Sequence, residues 1–458
     1  MHLSPTHVLT SLCLAGMTTL THAVVPYAVV VHTEDLADPG WKQVVETLEK
    51  NHPGAARVEF AGDWDKLRAE LAARMPARTA FVLPYRRAGR QAVAAIHRLT
   101  RALDADPYAD TLWGIVTGLD ASDALAACLT KPLVIRKAAA GTEIDLSLVE
   151  QGRWFCELKA GKRVHREPGG ASMVDSGPTD STAAIVDSLN TYAPDLFITS
   201  GHASERNWTL GYTFSNGLFK SKAGRLFGED THKATFDVQS NNPKVYLAVG
   251  NCLMGHIDGP DAMALAWMHS AGVCQMVGYT VESWYGYAGW GMLDYFFEQP
   301  GRYDLAAAFL ANQHALIHRL ETEFGGSARP GKGVSQDEQG LRYDRDVLAC
   351  YGDPGWDARL APGPLRWKQS LTEKDGLWTF QVEGLAGDKT FTPVNMNGSQ
   401  RGHRPLIEFF QRPLGPVEIV SGQEFKPVVT DDFLLLPNPG KLPAAGSIKI
   451  SFRETGKP

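Results

Sequence analysis

The sequence predicts an α/β fold built on a mainly parallel sheet, followed by a C-terminal antiparallel β-sandwich. Between Pro26 and Leu129, short apolar runs alternate with segments of helical periodicity, which is the pattern of βαβ units. After Pro362 the helical periodicity disappears, and short runs of alternating polarity follow, separated by Pro and Gly. The chain of 458 residues is long enough for about two to three domains.

The first α/β part is predicted to contain four strands, each followed by a helix. The predicted strands are residues 27–31, 57–60, 79–83 and 111–117, and the predicted helices are residues 39–52, 64–75, 91–103 and 121–129. Asp38, Asp63 and Asp120 stand where a helix needs an N-cap, and Pro39 occupies a first helical position. Such alternation favours right-handed crossovers and a parallel sheet.

The middle of the chain is predicted to be less regular before it returns to strands and helices. Residues 133–175 are predicted to be irregular, and the Gly-, Asn- and Lys-rich residues 207–243 are predicted to form a long loop over one side of a cleft. Helices are predicted at residues 182–190, 262–270, 288–298 and 305–323, with strands leading to His202 and Cys252 and at residues 272–279. In the tail, strands are predicted at residues 378–382, 407–410, 417–420, 433–436 and 448–452.

The first 23 residues have the pattern of a secretory signal peptide. An apolar core from Val8 to Leu20 is followed by small residues at the expected cut after Ala23, although no Lys or Arg precedes the core. The alternative is an apolar N-terminal helix or strand. A signal peptide predicts that the mature protein is secreted or lies in the periplasm or cell envelope.

Composition excludes several classes of partner. The net charge of −6 gives no basic surface for nucleic acid, so no nucleic-acid partner is expected. No segment after residue 30 approaches ~18 consecutive apolar residues, so no integral membrane segment is predicted. The 44% hydrophobic and 21% charged content are those of an ordinary globular protein.

Two apolar strands end in residues that can carry out nucleophilic catalysis. His202 follows the run from Asp195 to Ser200, and Cys252 follows the run from Lys244 to Gly250. If these strands are parallel neighbours, both side chains lie at the carboxyl edge of the sheet, where open α/β sheets bind ligands. A thiol beside an imidazole is the minimum machinery of a cysteine nucleophile. The His precedes the Cys by 50 positions, as in caspases.

Three motifs resemble those of the gingipain-like cysteine peptidases of the caspase–gingipain–legumain clan. Ile198-Thr-Ser-Gly-His-Ala-Ser204 with Trp208 is similar to that family's histidine segment, and Val249-Gly-Asn-Cys-Leu-Met-Gly255 is similar to its nucleophile strand. Tyr351-Gly-Asp-Pro-Gly355 resembles a motif near the end of the peptidase domain. The resemblance is clearest from about residue 178 to about residue 360.

This resemblance implies a caspase-like α/β fold with two subdomains, and cysteine endopeptidase activity on peptide or protein substrates. The resulting division is a signal peptide (1–23), an N-terminal α/β subdomain (24–140), a catalytic subdomain (141–362) and a β-sandwich (363–458). His202 and Cys252 would be catalytic, and the backbone amides of Ala203 and Cys252 would form the oxyanion hole. The family usually has Gly where Ala203 stands. No cofactor is implied to be required, although structural calcium is compatible with the family.

The resemblance also implies a substrate pocket. Ser283 and Trp284 are similar to a Ser-Trp pair in the family's specificity pocket, so both are predicted to bind substrate. A pocket carboxylate would select Arg or Lys before the scissile bond. The candidates are Glu157, Asp258, Asp261 and Glu282, and the sequence does not choose among them.

Two other functions remain open from the sequence. The first is a catalytically silent member of the same fold that binds peptides as a secreted interaction protein. The second is a metal-dependent hydrolase, in which His256 and Cys252 would ligate zinc. No second Cys/His pair at zinc-finger spacing accompanies them, so no metal ligand set is predicted.

Overall fold

The computed structural model describes residues 26–329, 335–393, 398, 400–443 and 446–456. Its first part alternates strands with helices as the sequence predicts. The elements are β1 (Tyr27–His32), α1 (Pro39–Asn51), β2 (Ala56–Phe60), α2 (Trp64–Arg74), β3 (Arg78–Val82), α3 (Arg90–Thr100), β4 (Leu112–Val116) and α4 (Ala121–Cys128). The four strands are parallel, in the order β2-β1-β3-β4. The predicted caps are confirmed, because the Asp38, Asp63 and Asp120 carboxylates accept hydrogen bonds from amides of the first helical turns.

The second part carries the strands that end in His202 and Cys252. Its elements begin with β5 (Leu133–Ile135), β6 (Lys137–Ala140), β7 (Gln151–Phe155), β8 (Lys162–Arg166), β9 (Met173–Ser176), α5 (Thr182–Asp187), β10 (Leu196–Thr199), β11 (Asn207–Thr209), β12 (Leu218–Lys222), β13 (Arg225–Glu229) and β14 (Thr235–Asp237). They continue with β15 (Lys244–Ala248), α6 (Met263–Ala271), β16 (Val273–Tyr279), α7 (Tyr287–Met292), α8 (Leu305–Glu323), α9 (Gln336–Asp344), β17 (Leu348–Tyr351) and β18 (Ala358–Leu360). Single π-helical turns, Ser188–Tyr192 and Leu293–Phe297, extend α5 and α7.

One sheet of 12 strands joins the two parts, in the order β2-β1-β3-β4-β17-β16-β15-β10-β6-β7-β8-β9. The joining strand is β17, which pairs parallel with β4 and antiparallel with β16. Most other neighbours are parallel, and antiparallel pairing returns at β7, β8 and β9. The fold class predicted from the sequence, a mainly parallel sheet flanked by helices, is therefore confirmed.

Two segments predicted to lack regular structure are in fact strands. Residues 133–175 contribute β6 to β9 to the large sheet, and the excursion 207–243 forms a separate antiparallel sheet of four strands, β11-β12-β13-β14. The first prediction failed because these strands have only four or five residues and because the outer ones carry few apolar side chains; β8 reads Lys-Arg-Val-His-Arg, of which only Val164 is buried. The second prediction failed because residues 207–243 contain more turn-forming residues than apolar ones, and because the strands among them have only three to five residues.

The C-terminal part forms two antiparallel sheets packed face to face. Its strands are β19 (Trp367–Lys374), β20 (Leu377–Gly384), β21 (Leu406–Phe409), β22 (Val417–Ser421), β23 (Val428–Val429), β24 (Phe433–Leu436) and β25 (Ser447–Glu454). One sheet has the order β19-β20-β25-β22 and the other β21-β24-β23. Between them lies a core that includes Phe380, Leu434 and Ile450, as expected of a β-sandwich.

The sandwich packs against the peptidase-like part through both apolar and charged contacts. Ile407, Phe433 and Leu435 belong to the same hydrophobic core as the large sheet. At the boundary the buried Asp294 carboxylate accepts hydrogen bonds from Arg401 Nε at 2.9 Å and Arg404 Nε at 3.0 Å. The domain boundaries near residues 140 and 362 stay predictions, since one sheet crosses the first and one core crosses the second.

The predicted signal peptide, residues 1–23, lies outside the described residues. Within the described part of the chain, no helix combines the length and apolarity that crossing a lipid bilayer requires.

Candidate active site

His202 and Cys252 lie just beyond the carboxyl ends of two hydrogen-bonded parallel strands. Residues Leu196 to Thr199 of β10 pair with residues Val245 to Ala248 of β15, and both strands are fully buried. His202 follows the last paired residue of its strand by three positions, and Cys252 by four. The register therefore places the two loops side by side at one edge of the sheet, as the sequence predicts.

The side chain of Asn251 ties these two loops together. Its Oδ1 accepts a hydrogen bond from Thr199 Oγ1 at 2.5 Å, and its Nδ2 donates to the carbonyl of Gly201 at 3.1 Å. Asn251 is fully buried, and its bond to Thr199 is shielded from water, whereas the bond to Gly201 is partly buried. The residue before the thiol is thus bonded to the residue before the imidazole, and this link fixes the relative position of the two loops.

The His202 ring is exposed and stacks on a tyrosine. The ring centroids of His202 and Tyr212 are 4.6 Å apart, with an interplanar angle of 17°. Tyr212 is held by its backbone amide, which donates to the carbonyl of Glu157 at 2.7 Å. The carbonyl of His202 accepts from the amide of Thr209 at 2.8 Å, so the backbone of the histidine loop is also fixed.

The Cys252 thiol is half-buried and faces Ser283. The Ser283 amide donates to Cys252 Sγ at 3.3 Å, and Ser283 Oγ lies 3.7 Å from the same sulfur. Leu253 follows with a φ of 57°, a left-handed conformation that costs free energy in a non-glycine residue and occurs often at active sites. Among the described residues there is no hydrogen bond between Cys252 and His202; such contacts often tighten only when substrate binds.

The two amides predicted to form an oxyanion hole are both without an acceptor in the described part of the chain. Ala203 forms an isolated bridge with Trp208, in which the bonding amides are those of Ser204 and Thr209 rather than that of Ala203 itself. The Cys252 amide likewise donates to no other described residue. Free amides are what an oxyanion hole requires.

Trp284 directly follows Ser283 in the chain, and its ring packs against that of Tyr343. Its side chain is 47% exposed, which is unusual for a tryptophan. The Trp284 ring centroid lies 5.7 Å from that of Tyr343 and 5.7 Å from that of Tyr285. The sequence predicted Ser283 and Trp284 as substrate-binding residues. The structure brings Ser283 into contact with Cys252 Sγ and places the Trp284 ring against Tyr343, and the substrate-binding roles stay predictions.

Of the four carboxylates considered for a specificity pocket, two pair with groups outside the site, and Glu157 is bonded through one oxygen only, since its buried Oε2 has no partner among the described residues. Glu157 is buried and accepts hydrogen bonds from Thr142 and Ser200. Asp258 pairs with Arg206 at 2.7 Å, and Asp261 accepts from the amide of Ala223 at 2.7 Å. The fourth, Glu282, is exposed and immediately precedes Ser283.

A separate cluster of carboxylates could hold a metal ion. One oxygen from each of Asp104, Asp106 and Asp110 lies within 4.8 Å of the others. Asp110 is only 9% exposed, and its Oδ2 has no hydrogen-bond partner among the described residues. Burial raises the pKa of Asp110 to about 10 and that of Asp106 to about 6. The neighbouring charges that act most strongly on the Asp110 carboxyl are all negative; they belong to Asp104, Asp106, Asp431 and Asp432.

No such cluster includes the cysteine that the zinc hypothesis requires. In the described part of the chain, the aspartates above are the only group of three or more His, Cys, Asp or Glu side chains with converging ligand atoms. His256 lies beyond the nucleophile loop, and its buried Nδ1 has no partner among the described residues. The site therefore offers Cys252 and His256 no third zinc ligand.

Sequence reasoning missed Asn251, Tyr212 and Tyr343. Asn251 was visible within its motif, but its role depends on the carbonyl of Gly201, 50 positions earlier. Tyr212 comes from a segment predicted as loop and Tyr343 from a segment for which no element was predicted, and nothing in their local sequence points towards the site. The spacing Asp104-x-Asp106-x-x-x-Asp110 is a signal that could have been recognised as typical of oxygen-ligand sites.

No known protein family and no curated protein matches the sequence. Among solved structures, the chain is similar to the Arg-specific cysteine proteinase gingipain R, with a TM-score of 0.47 and 10% identity over 94% of this chain and 92% of that one. It is also similar to a structure described as a protease, with a TM-score of 0.44 and 11% identity over 79% of this chain and 85% of that one. Both likenesses concern the fold, and the chemistry of the site rests on its own residues.

Proposed function

We propose that this protein is a cysteine endopeptidase in which Cys252 is the nucleophile and His202 the general acid and base. The observation that carries the proposal is the placement of both residues at the carboxyl ends of neighbouring parallel strands, with Asn251 bonded between their loops. The free amides of Ala203 and Cys252 support it, because acyl transfer needs donors for a developing oxyanion.

The proposed reaction has two steps. His202 accepts the thiol proton, Cys252 Sγ attacks the carbonyl carbon of the peptide, and the amides of Ala203 and Cys252 bind the oxyanion. The C–N bond then breaks as His202 returns the proton to the leaving amine, which leaves a thioester. In the second step water, deprotonated by His202, attacks the thioester and releases the acid and the free thiol. General acid–base catalysis by His202 would contribute roughly 10²- to 10⁴-fold.

The decisive experiment compares three purified variants in cleavage of a peptide library. Cys252→Ala should abolish cleavage, and His202→Ala should lower kcat by about 10²- to 10⁴-fold. Cys274→Ala is the matched control, because Cys274 lies outside the site, where its thiol contacts Thr130, and it should leave cleavage unchanged. Undiminished cleavage by a folded Cys252→Ala variant would end the proposal. Complete inactivity of the unmodified protein would favour the catalytically silent, peptide-binding alternative.

For the substrate, we propose an extended peptide whose side chain before the scissile bond is Arg or Lys. Ser283 and Trp284 would line the pocket, and we assign the pairing with a basic side chain to Glu282, which is exposed and immediately precedes them in the chain. A fluorogenic series that differs only at this residue tests the preference, and Glu282→Gln should lower kcat/KM for Arg by about tenfold. If Asn, Asp or an apolar residue is cleaved faster than Arg and Lys, the basic preference is wrong while the nucleophile assignment stands.

We also propose that the aspartate cluster binds a structural calcium ion. Calcium takes six to eight oxygen ligands, and Asp104, Asp106 and Asp110 offer oxygens that already converge. The partnerless Oδ2 of Asp110 supports this assignment, because a buried carboxylate oxygen without a donor is costly unless a cation occupies the site. The ion would be structural and would take no part in catalysis.

The location that fits the predicted signal peptide is outside the cytoplasm or in the cell envelope.

A further inference from the structure

Two atoms of one serine contact the thiol of Cys252. The Ser283 amide nitrogen is 3.3 Å from Sγ and donates to it, and Ser283 Oγ is 3.7 Å from Sγ. The same hydroxyl lies 3.0 Å from the carbonyl of Gly250. The Ser283 hydroxyl therefore contacts both the nucleophile and the backbone of the nucleophile's own loop.

Main-chain bonds hold Ser283 in this position. The amide of Leu253 donates to the carbonyl of Val281 at 2.9 Å, and the amide of Gly255 donates to the carbonyl of Tyr279 at 2.9 Å. These bonds join the loop after Cys252 to the segment that leads from β16 to Ser283. Gly255 permits this close approach, because a Cβ there would lie 2.2 Å from the carbonyl oxygen of Gly278. The Ser283 amide is thus a donor whose position is fixed before any substrate binds.

We propose that Ser283 is a positioning residue for the Cys252 thiolate, which it holds through its main-chain N–H and its hydroxyl. The inference rests on the proposed function of Cys252 as nucleophile and gives Ser283 a role different from that of a pocket wall. Hydrogen bonds to a charged acceptor are stronger than those to a neutral one, so both donors favour the thiolate over the thiol. The thiolate is the form that attacks.

The hydroxyl serves both protonation states because its hydrogen can rotate. With the neutral thiol, Ser283 Oγ–H donates to the Gly250 carbonyl, and the oxygen can accept from S–H. When the thiol proton leaves for His202, the hydroxyl turns and donates to the sulfur anion. When the thioester forms, the negative charge has left the sulfur, and the hydroxyl returns to Gly250. No movement of the backbone is required at any step.

The test measures the rate at which iodoacetamide alkylates Cys252 as a function of pH, with the modified residue identified by mass spectrometry. At about pH 6.5, Ser283→Ala should lower the rate by about three- to tenfold, because less of the thiol is ionised, and the rates should converge near pH 10. Ser283→Thr keeps the hydroxyl and should restore most of the rate. Ser172→Ala, at an exposed serine before β9, is the control for the substitution itself.

Peptide kinetics on the same variants distinguish this role of Ser283 from a role as a pocket residue, and from the assignment of Cys252 as the nucleophile. Ser283→Ala should lower kcat at neutral pH more than it raises KM. A superimposable alkylation profile in a folded Ser283→Ala variant overturns the inference, and a rise in KM alone would make Ser283 a pocket residue only. Neither result affects the nucleophile assignment, which fails separately if Cys252→Ala still cleaves peptide.

Discussion

Asp344 anchors both ends of the segment that carries Ser283 and Trp284. It is fully buried, and its Oδ2 accepts hydrogen bonds from Tyr279 OH at 3.0 Å and from the amide of Ala288 at 2.9 Å. Tyr279 ends β16 and Ala288 lies in the first turn of α7. The segment between them, which carries Ser283 and Trp284, is therefore bonded at both ends to the same carboxylate. Burial raises the pKa of Asp344 to about 6.

This shift predicts a pH dependence of stability. Because the folded pKa of about 6 lies above the unfolded value of about 3.9, the folded protein holds this proton more tightly, and the contribution of Asp344 to stability falls as pH rises from about 4 to about 6. The loss is about 3 kcal/mol at full ionisation. The side chain in Asp344→Asn stays uncharged. Between pH 4 and pH 7 the unfolding free energy of the unmodified protein should therefore fall relative to that of the variant, as measured by urea denaturation. A difference that is constant with pH would contradict the assignment.

At the same scale, the two residues of the proposed dyad could be predicted from sequence, whereas their supports could not. His202 and Cys252 each follow an apolar run directly, so local pattern alone locates them at strand ends. The supporting contacts join residues about 10 to 65 positions apart, since Tyr212 stacks on His202, Tyr343 packs against Trp284, and Asp344 bonds Tyr279. No local pattern encodes such distances, and only the folded chain reveals them.

At the scale of elements, β10 and β15 are joined by more than their ladder. Thr199 Oγ1 lies 2.8 Å from Tyr246 OH and 2.5 Å from Asn251 Oδ1, so a buried polar chain runs across the two strand ends. Buried polar networks are costly when one member is lost, because the remaining partners have no water to replace it. The geometry of the candidate site therefore depends on this chain being complete.

Asn251→Ala should damage both stability and catalysis. Thr199 would lose its acceptor and the Gly201 carbonyl its donor, at a cost of about 1–3 kcal/mol, as measured by urea denaturation. Because the two loops would no longer be tied, kcat should fall by at least about tenfold with a smaller change in KM. The matched control is Asn190→Ala, which removes two hydrogen bonds near the surface and should leave kcat unchanged. Equal kcat for Asn251→Ala and the unmodified protein would show that the link has no role in catalysis.

Element prediction succeeded where periodicity was strong and failed where pairing came from distant segments. The helix predicted at residues 305–323 matches α8 at both ends, because its apolar face repeats over five turns. By contrast, β17 was not predicted, although it joins the two halves of the sheet. It has four residues, and it is a strand because β4 and β16 flank it on both sides.

At the scale of the whole molecule, the β-sandwich meets the N-terminal part at the aspartate cluster. Asp104, Asp106 and Asp110 lie between α3 and β4, whereas Asp431 and Asp432 lie in the turn between β23 and β24. Burial, together with neighbouring acids, also raises the pKa of Asp431 and of Asp432. Parts of the chain more than 300 positions apart thus bring acidic groups together, and a bound cation would offset the repulsion between their ionised forms.

Calcium should therefore stabilise the protein. At about 100-fold excess over the dissociation constant, bound calcium adds about 2.7 kcal/mol, so the melting temperature should be higher in calcium than in chelator. Asp110→Asn should abolish this difference. It should change the melting temperature in chelator little, because a carboxyl with a pKa of about 10 is already uncharged at neutral pH when no cation is bound.

Two further variants locate the calcium site and control for the substitution. Asp388→Asn, at an exposed aspartate of the sandwich, should keep the calcium response intact. Asp432→Asn should weaken the response if the sandwich takes part, because Asp432 is one of the acids that act on Asp110. A response as large as that of the unmodified protein would confine the site to the loop between α3 and β4. If the unmodified protein has the same melting temperature in calcium and in chelator, the proposed calcium site is wrong.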